Sequence, residues 1–367
     1  MIEIELVKRD KCSGCTACAN VCPKNCIKML PDNEGFLYPK IDNLVCTECG
    51  LCQKACPVNK TEKHLPLSTY ALKNKNDEIR LKSTSGGIFE TLSKYVLNNG
   101  GVVFGCKFNE DLIAEHDYVE CYEGLEAFRG AKYVQSRLND SFKKVKCFLE
   151  QGRWVLFSGT PCQIAGLNFY LNKEYDKLIK CDLVCHSVPS PNALKAYINE
   201  IEEINNKKVS KLWFRNKELN GWTKSNLKII FEDGTVYKEP LINTAFMQGF
   251  NRGLYNRPSC TNCSYKDFNN VSDITIADYW GIEKVVEDFA DNIGVSLVFI
   301  NNLKGEKIFE EIKENLIFIE TKIEESVLEN PYIITSSLAH KNRNEFFKRI
   351  DSERFSDLVM SLLKEEE

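Results

Sequence analysis

The residues with the clearest chemistry in this chain are eight cysteines arranged in two copies of one spacing. The first run is Cys12-x2-Cys15-x2-Cys18-x3-Cys22-Pro23, and the second is Cys46-x2-Cys49-x2-Cys52-x3-Cys56-Pro57. This ferredoxin-type spacing is typical of two 4Fe-4S clusters, in which the fourth cysteine of each run binds the other run's cluster. The sequence therefore predicts one cluster on Cys12, Cys15, Cys18 and Cys56, and a second on Cys46, Cys49, Cys52 and Cys22. A disulfide framework or a pair of zinc sites are the alternatives, but neither needs this repeated spacing.

Four more cysteines follow predicted strand ends or lie in a loop. Cys162 begins a predicted helix, where the helix dipole lowers the pKa of a thiol. That position suits a reactive thiol or a metal ligand, and a plain buried cysteine is the alternative. Cys185 follows the next strand, and Cys260-x2-Cys263 lies in a loop. Together they make a plausible four-thiolate set, for which zinc is one candidate metal. Five cysteines are predicted to be packing or buried thiols: Cys26, Cys106, Cys121, Cys147 and Cys181.

Phosphate-binding signals are weak outside the cysteine motifs. The GxGxxG and GxxxxGK patterns are both absent, so a Rossmann site or a P-loop has no support in the sequence. The run Ser83-Thr84-Ser85-Gly86-Gly87 leads into a predicted helix, whose free N–H groups could seat a phosphate. An ordinary serine-capped helix explains the same residues.

Composition excludes several classes of protein. The chain has 367 residues, of which 43% are hydrophobic, so two or three domains with a sizeable core are expected. A net charge of -4 gives no electrostatic reason to expect nucleic acid as a partner. No apolar run reaches the roughly 18 residues of a membrane span. The N-terminus lacks a signal-peptide core, and the thiol-rich composition predicts a reducing cytoplasm.

The elements that must position these residues alternate between helix and strand. Helices are predicted over 88–99, 140–151, 162–172 and 191–205, and short strands over 102–104, 154–157 and 178–184. This alternation predicts an α/β domain with a largely parallel sheet, mixed α+β over the whole chain. Residues 209–238 predict an antiparallel hairpin insertion, and two amphipathic helices are predicted near 343–350 and 355–364.

Four segments follow from this pattern. Residues 1–58 are predicted to form the two-cluster unit, with a hairpin turn at Asp32-Asn33-Glu34-Gly35, and residues 59–69 a linker. Residues 70–300 form the α/β domain, and residues 301–367 form a C-terminal α/β and helical extension.

Six motifs then occur in a recognisable order. They are Ser85-Gly86-Gly87, Arg129 to Ser136, Ser158 to Gln163, Asp182 to His186, Arg257 to Cys263, and Ser272 to Gly281. In this order they resemble the beta subunit of coenzyme F420 hydrogenases and dehydrogenases, fused to an N-terminal ferredoxin domain. The resemblance spans residues 1 to about 300. One departure is Ser187, where this family usually has a glycine after the histidine.

The resemblance implies a flavoprotein with a third 4Fe-4S cluster, on Cys162, Cys185, Cys260 and Cys263. It implies FAD binding in the second domain without a Rossmann fingerprint, and hydride exchange with reduced coenzyme F420. The implied FAD contacts are Ser85, Gly86, Gly87, Lys132, Gln135, Ser136, Gly159 and Thr160. Lys132 would offset the pyrophosphate charge. Hydride transfer needs no side-chain acid or base, so no catalytic residue is predicted.

The predicted function is electron transfer between a hydride carrier, FAD and one-electron partners, such as a redox protein or a ferredoxin-linked enzyme. Two alternatives stay open. The chain could be a ferredoxin-dependent reductase of another substrate, for example in polysaccharide biosynthesis. It could also be a non-catalytic electron-transfer subunit of a larger enzyme.

Overall fold

The computed structural model describes residues 6–58 and 60–364. The first five residues, Asn59 and the last three glutamates lie outside the described residues. They belong to the predicted two-cluster unit, the predicted linker and the predicted C-terminal extension, respectively.

The chain folds into helices and strands with the following bounds. The helices are α1 (Ala17–Val21), α2 (Leu51–Ala55), α3 (Asp77–Lys82), α4 (Ile88–Asn98), α5 (Ser141–Glu150), α6 (Pro161–Leu171), α7 (Pro191–Asn205), α8 (Ala245–Asn251), α9 (Leu303–Ile312), α10 (Ile323–Val327), α11 (Arg343–Arg349) and α12 (Phe355–Lys364). The strands are β1 (Ile27–Pro31), β2 (Leu37–Ile41), β3 (Ser68–Asn74), β4 (Val102–Phe108), β5 (Ala114–Val119), β6 (Val155–Gly159), β7 (Leu178–Leu183), β8 (Val209–Asn216), β9 (Asn226–Phe231), β10 (Val236–Pro240), β11 (Ile274–Asp278), β12 (Ser296–Ile300) and β13 (Leu316–Glu320).

The N-terminal unit, residues 6–58, consists of α1, the hairpin β1–β2 and α2. The two strands pair antiparallel around a turn in which Gly35 has a φ of 85°, so the predicted hairpin is confirmed. Each helix starts inside a cysteine run, after a loop with residues at positive φ. The loops bend at matching places, at Gly14 and Thr16 in the first run and at Glu48 and Gly50 in the second. The repeat in sequence is therefore a repeat in backbone conformation.

The rest of the chain is built on an eight-stranded sheet with the order β13-β3-β12-β11-β7-β6-β4-β5. The protein is thus a mixed α/β fold with one large sheet. The expectation of a largely parallel sheet was wrong, because only the central strands β11, β7, β6 and β4 run parallel. The outer pairings are antiparallel. Strand periodicity does not report direction, and a short turn after β4 returns the chain beside it as β5.

Two buried clusters cover the faces of this sheet. Neighbouring residues such as Val102 and Val103 face opposite sides, as the two-residue period of a strand requires. Helices α4 and α9 pack on one face, and α5 and α6 pack on the other. Ala17 and Ala55 of the N-terminal unit are buried with α5 and α6, so this unit is packed against the sheet layer.

A second, three-stranded antiparallel sheet contains β8, β9 and β10. The predicted hairpin insertion is confirmed, with one strand more. This three-stranded sheet shares a core with α7, α8, α11 and α12. Leu358, Val359 and Leu362 are fully buried in that core. The two predicted C-terminal helices are therefore confirmed and pack in this core.

Two local features differ from prediction. Strand β3 begins at Ser68, and Lys63 forms an isolated bridge with Asn269, so the end of the predicted linker belongs to the folded domain. Cys121 and Cys147 were expected to be buried and are exposed. No described helix is long and apolar enough to cross a membrane.

Candidate functional site

The eight cysteines of the two runs are gathered into two groups in the N-terminal unit. Cys12, Cys15, Cys18 and Cys56 surround one small cavity, which we call the first thiol site. Cys22, Cys46, Cys49 and Cys52 surround another, the second thiol site, together with Cys26. The structure therefore brings together the same thiols that the sequence assigns to each cluster. The exchange of the fourth cysteine follows from α1 and α2, since each helix contains one cysteine (Cys18 or Cys52) and is followed directly by a cysteine of the other site (Cys22 or Cys56).

The prediction that Cys26 packs in the core is confirmed, because it is buried in a cluster with Cys22 and Ile27. Its sulfur also lies 3.3 Å from the sulfur of Cys22, at the wall of the second thiol site. Cys49 of the same site is exposed to solvent.

The third thiol site contains Cys162, Cys185, Cys260 and Cys263, which line one cavity of about 60 Å³. Cys162 follows β6 and Cys185 follows β7, and parallel neighbours such as these end at the same edge of a sheet. A short 3₁₀ turn, Pro258–Asn262, brings Cys260 and Cys263 to that edge. Sequence spacing could not reveal this proximity, because it depends on the pairing of β6 with β7.

Burial dominates the electrostatics of the third thiol site. The pKa of the Cys162 thiol was expected to be lowered by the helix dipole, but burial raises it above its ordinary value. Burial and the neighbouring Cys162 raise the pKa of Cys260 to about 12. Among the described residues no Cys, His, Asp or Glu side chains converge as tightly as one metal ion requires.

A larger cavity of about 320 Å³ opens beside the third thiol site, at the ends of β6, β7 and β11. This volume lies within the range of small-molecule sites. Six of the predicted FAD contacts line it: Ser85, Gly87, Lys132, Ser136, Gly159 and Thr160. We call it the cofactor cavity.

The two other predicted FAD contacts lie elsewhere. Gly86 supports the wall from behind, because a Cβ there would stand 2.4 Å from the carbonyl oxygen of Leu72 in β3. Gln135 points away from the cavity, and its Oε1 accepts hydrogen bonds from Leu37 N and Arg257 Nη1 at 3.0 and 3.1 Å. Its side chain is engaged at the junction with the N-terminal unit, and the cofactor contact at Gln135 stays a prediction.

Two cations line the cofactor cavity, Arg129, which is paired with Glu90, and Lys132. Lys132 Nζ donates to the carbonyl oxygens of Ala127, Arg129 and Gly130 at 2.7–3.2 Å. No carboxylate of the described chain pairs with Lys132, and burial lowers its pKa to about 8. A bound anion would offset the free-energy cost of burying the charged ammonium, so the arrangement fits a phosphate group.

One residue of the cofactor cavity that sequence reasoning missed is His116. Gln163 Nε2 donates to Ser136 Oγ at 2.9 Å, and Ser136 Oγ lies 3.1 Å from His116 Nδ1. Because the carbonyl oxygen of Ser158 can only accept, His116 Nε2–H donates to it at 3.1 Å, and Nδ1 of the neutral ring accepts from Ser136 Oγ. The only feature that could have pointed to His116 is its position in β5, two residues after Ala114 and on the same buried face.

The last predicted motif shapes the opposite wall. Asp278 at the end of β11 accepts a hydrogen bond from Trp222 Nε1 at 2.6 Å. Trp222 stacks on Trp280 with ring centroids 4.8 Å apart, and Arg215 lies over the Trp280 ring. Ser187 has no positive φ, so the departure from glycine at this position introduces no left-handed strain.

The cavities form a continuous series. Thr160, Leu183 and Val184 line both the cofactor cavity and the third thiol site. Cys15 of the first thiol site touches α6 beside Cys162, because a Cβ at Gly166 would lie 3.0 Å from the Cys15 sulfur. The order is therefore the cofactor cavity, the third thiol site, the first thiol site, and finally the second thiol site with its exposed Cys49.

Ferredoxin-type thiol sites joined to a mixed α/β domain define the class of iron–sulfur electron-transfer oxidoreductases. Comparison with known families specifies the class further. Residues 152–326 match the family described as the C terminus of the coenzyme F420 hydrogenase/dehydrogenase beta subunit, and residues 11–60 match a 4Fe-4S dicluster domain. The chain therefore carries a C-terminal domain of the F420 hydrogenase/dehydrogenase beta-subunit type and an N-terminal 4Fe-4S dicluster domain.

Two relatives agree with this assignment. The chain is 25% identical over 334 residues to the F component of the F(420)H(2) dehydrogenase of Methanosarcina mazei, a match that covers 86% of each protein. It is 39% identical over 54 residues to an uncharacterized ferredoxin of Methanocaldococcus jannaschii, covering 15% of this chain and 69% of that one. Among solved structures, a chain of the F420-reducing [NiFe] hydrogenase complex from Methanosarcina barkeri aligns with a TM-score of 0.48 and 18% identity, covering 84% and 94% of the two chains.

Proposed function

We propose that this protein is an iron–sulfur flavoprotein that passes electrons between a hydride carrier, such as reduced coenzyme F420, a bound FAD and three 4Fe-4S clusters. The observation that carries the proposal is the continuous series of sites. The cofactor cavity shares Thr160 with the third thiol site, which in turn adjoins the first thiol site. When bound, a flavin exchanges hydride with its partner and 4Fe-4S clusters carry single electrons.

The residues proposed to hold the clusters are the twelve thiols of the three sites: Cys12, Cys15, Cys18 and Cys56; Cys22, Cys46, Cys49 and Cys52; and Cys162, Cys185, Cys260 and Cys263. All seventeen cysteines of the chain are free, so every ligand is available as a thiol. This usage also supports our proposal of a reducing cytoplasm as the location.

The residues proposed to hold FAD are those that line the cofactor cavity. Lys132 would pair with the pyrophosphate, and Gly87 and Gly159 allow the backbone to approach a ligand closely. His116, locked by Ser136 and Ser158, keeps a neutral imidazole at the wall, since burial lowers its pKa to about 4. These side chains bind and orient a ligand, and none is proposed to act as an acid or base.

The proposed outlet or inlet for electrons is the second thiol site. Cys49 is exposed there, and Leu44, Val45 and Leu51 present apolar surface around it. Such a surface suits transient docking of a redox partner protein. We propose both the redox partner protein and the hydride carrier as partners of this chain.

The test is the cofactor content of anaerobically purified protein, followed by its reduction. We expect about twelve irons per chain, FAD in the extract, and bleaching of the flavin absorbance by reduced coenzyme F420. If NADH bleaches the flavin and reduced coenzyme F420 does not, NADH takes the place of coenzyme F420 as the proposed hydride carrier. A flavin reduced only by a partner protein would indicate a non-catalytic role in electron transfer within a larger enzyme. A protein without flavin would contradict the proposal.

Cys162→Ser tests the third cluster separately. We expect the iron content to fall from about twelve to about eight per chain while the signals of the ferredoxin pair persist. Cys147→Ser, an exposed thiol outside all three sites, serves as the control and should keep its iron. Unchanged iron in Cys162→Ser would show that Cys162 is not a ligand.

A further inference from the structure

Arg257 crosses the boundary between the N-terminal unit and the large domain. Its Nε donates to Cys12 O at 2.8 Å and its Nη2 donates to Leu37 O at 3.0 Å, both in the N-terminal unit. Its Nη1 donates to Gln135 Oε1 at 3.1 Å in the large domain. The guanidinium also lies 4.3 Å from the ring centroid of Tyr38. One side chain thus links the N-terminal unit to the large domain through three hydrogen bonds.

The guanidinium is almost fully buried, at 1% exposure, and its three acceptors are all neutral oxygens. No Asp or Glu of residues 6–58 and 60–364 forms a salt bridge with it. A buried charge without an opposite charge is strongly unfavourable. Among the described residues, therefore, no carboxylate offsets this cation.

The missing negative charge is supplied if the two adjoining thiol sites hold clusters. Arg257 bonds to the carbonyl of Cys12, a thiol of the first site, and its own carbonyl accepts from Cys260 N of the third site. The cation therefore lies between a residue of the first site, Cys12, and a residue of the third site, Cys260.

We propose that Arg257 is the positioning residue that holds the first and third clusters together and raises their reduction potentials. The proposal rests on the proposed function. A fixed positive charge stabilises the more negative, reduced form of a nearby cluster, and in a buried site solvent screens it little. Removing that charge lowers the reduction potential.

A second arginine provides the matched control. Arg343 also joins the two parts of the protein, through a bidentate salt bridge to Glu34 in the hairpin turn. Its charge is paired with a carboxylate, and it lines none of the three thiol sites. Loss of Arg343 therefore weakens docking of the N-terminal unit without removing charge from the clusters.

The experiment is an anaerobic potentiometric titration of the full-length protein, followed by the EPR signals of the clusters. Arg257→Gln removes the charge, and Gln135→Glu neutralises it in place with an isosteric carboxylate. In both variants we expect the one-electron reduction equilibrium of at least one junction cluster to shift about tenfold toward the oxidised form, which is about 59 mV. Arg343→Gln should stay within about threefold of the wild type.

Unchanged potentials in Gln135→Glu would overturn the proposal even if Arg257→Gln fails to retain its clusters. An equal shift in Arg343→Gln would also overturn it, because docking alone would then explain the effect. Failure of the proposed function can be distinguished from failure of the role proposed for Arg257. A wild-type iron content near eight per chain would remove the third cluster, while the effect of Arg257 on the first cluster would still be measured.

Discussion

At the scale of single residues, burial outweighs the local effects that sequence patterns suggest. Cys162 stands at the start of α6, where the helix dipole lowers a thiol's pKa, yet burial raises that pKa. His116 had no motif, yet it lines the cofactor cavity and is kept neutral by burial, which lowers its pKa to about 4. Both outcomes depend on neighbours distant in sequence.

The buried state of His116 predicts a pH dependence of stability. Its folded pKa of about 4 lies below the unfolded value, so the unfolded chain takes up a proton first as the pH falls. The stabilisation is complete above the unfolded pKa and is lost as the pH falls toward 4. Between about pH 7.5 and about pH 5 the wild type should lose about 2 kcal/mol more unfolding free energy than His116→Gln.

Urea unfolding of anaerobic protein at both pH values measures this difference. His64→Gln is the control, because His64 is exposed and should leave the wild-type dependence unchanged. Equal losses in the wild type and His116→Gln would show that the neutral imidazole contributes nothing to stability.

At the scale of secondary-structure elements, amphipathic patterns predicted where helices form but not what they cover. Helix α12 carries no motif, and its apolar face closes the core over β8, β9 and β10. The sequence likewise did not predict the edge strand β13 or the antiparallel pairings around it, because residue periodicity does not specify strand direction.

The role of α12 can be measured by one pair of substitutions. Leu358 is fully buried and Met360 in the same helix is 36% exposed. Leu358→Ala should lower the unfolding free energy by about 3 kcal/mol, since it leaves a cavity in a packed core. Met360→Ala should change it by less than about 0.5 kcal/mol. Similar small effects in a denaturant titration would mean that α12 is not part of the cooperative core.

At the scale of the whole molecule, the sites lie in series from the cofactor cavity to the exposed Cys49. Arg257, Gln135 and the Arg343–Glu34 pair hold the N-terminal unit against the large domain. This arrangement favours electron transfer across a fixed junction, with the second thiol site as the terminal position.

Cys49→Ala tests this order. We expect bleaching of the flavin by the hydride carrier to persist, because the cofactor cavity is untouched. Reduction of an external one-electron acceptor, such as methyl viologen, should fall at least about tenfold, because the terminal cluster is lost. Cys121→Ala, an exposed thiol outside the three sites, should retain both activities. Acceptor reduction at the wild-type rate would place the outlet elsewhere.

The sequence by itself determined the features that depend on near neighbours. The thiols of each cysteine run lie a few residues apart, so their spacing predicts the grouping of sites in the N-terminal unit. Helix bounds such as Pro191–Asn205 follow from local periodicity and capping. The tertiary structure alone decided which distant residues meet. The parallel pairing of β6 with β7 brings Cys162 and Cys185 to one edge of the sheet, and the docking of the N-terminal unit places Leu37 against Gln135. These contacts depend on strand direction and domain packing, neither of which is encoded in a short stretch of sequence.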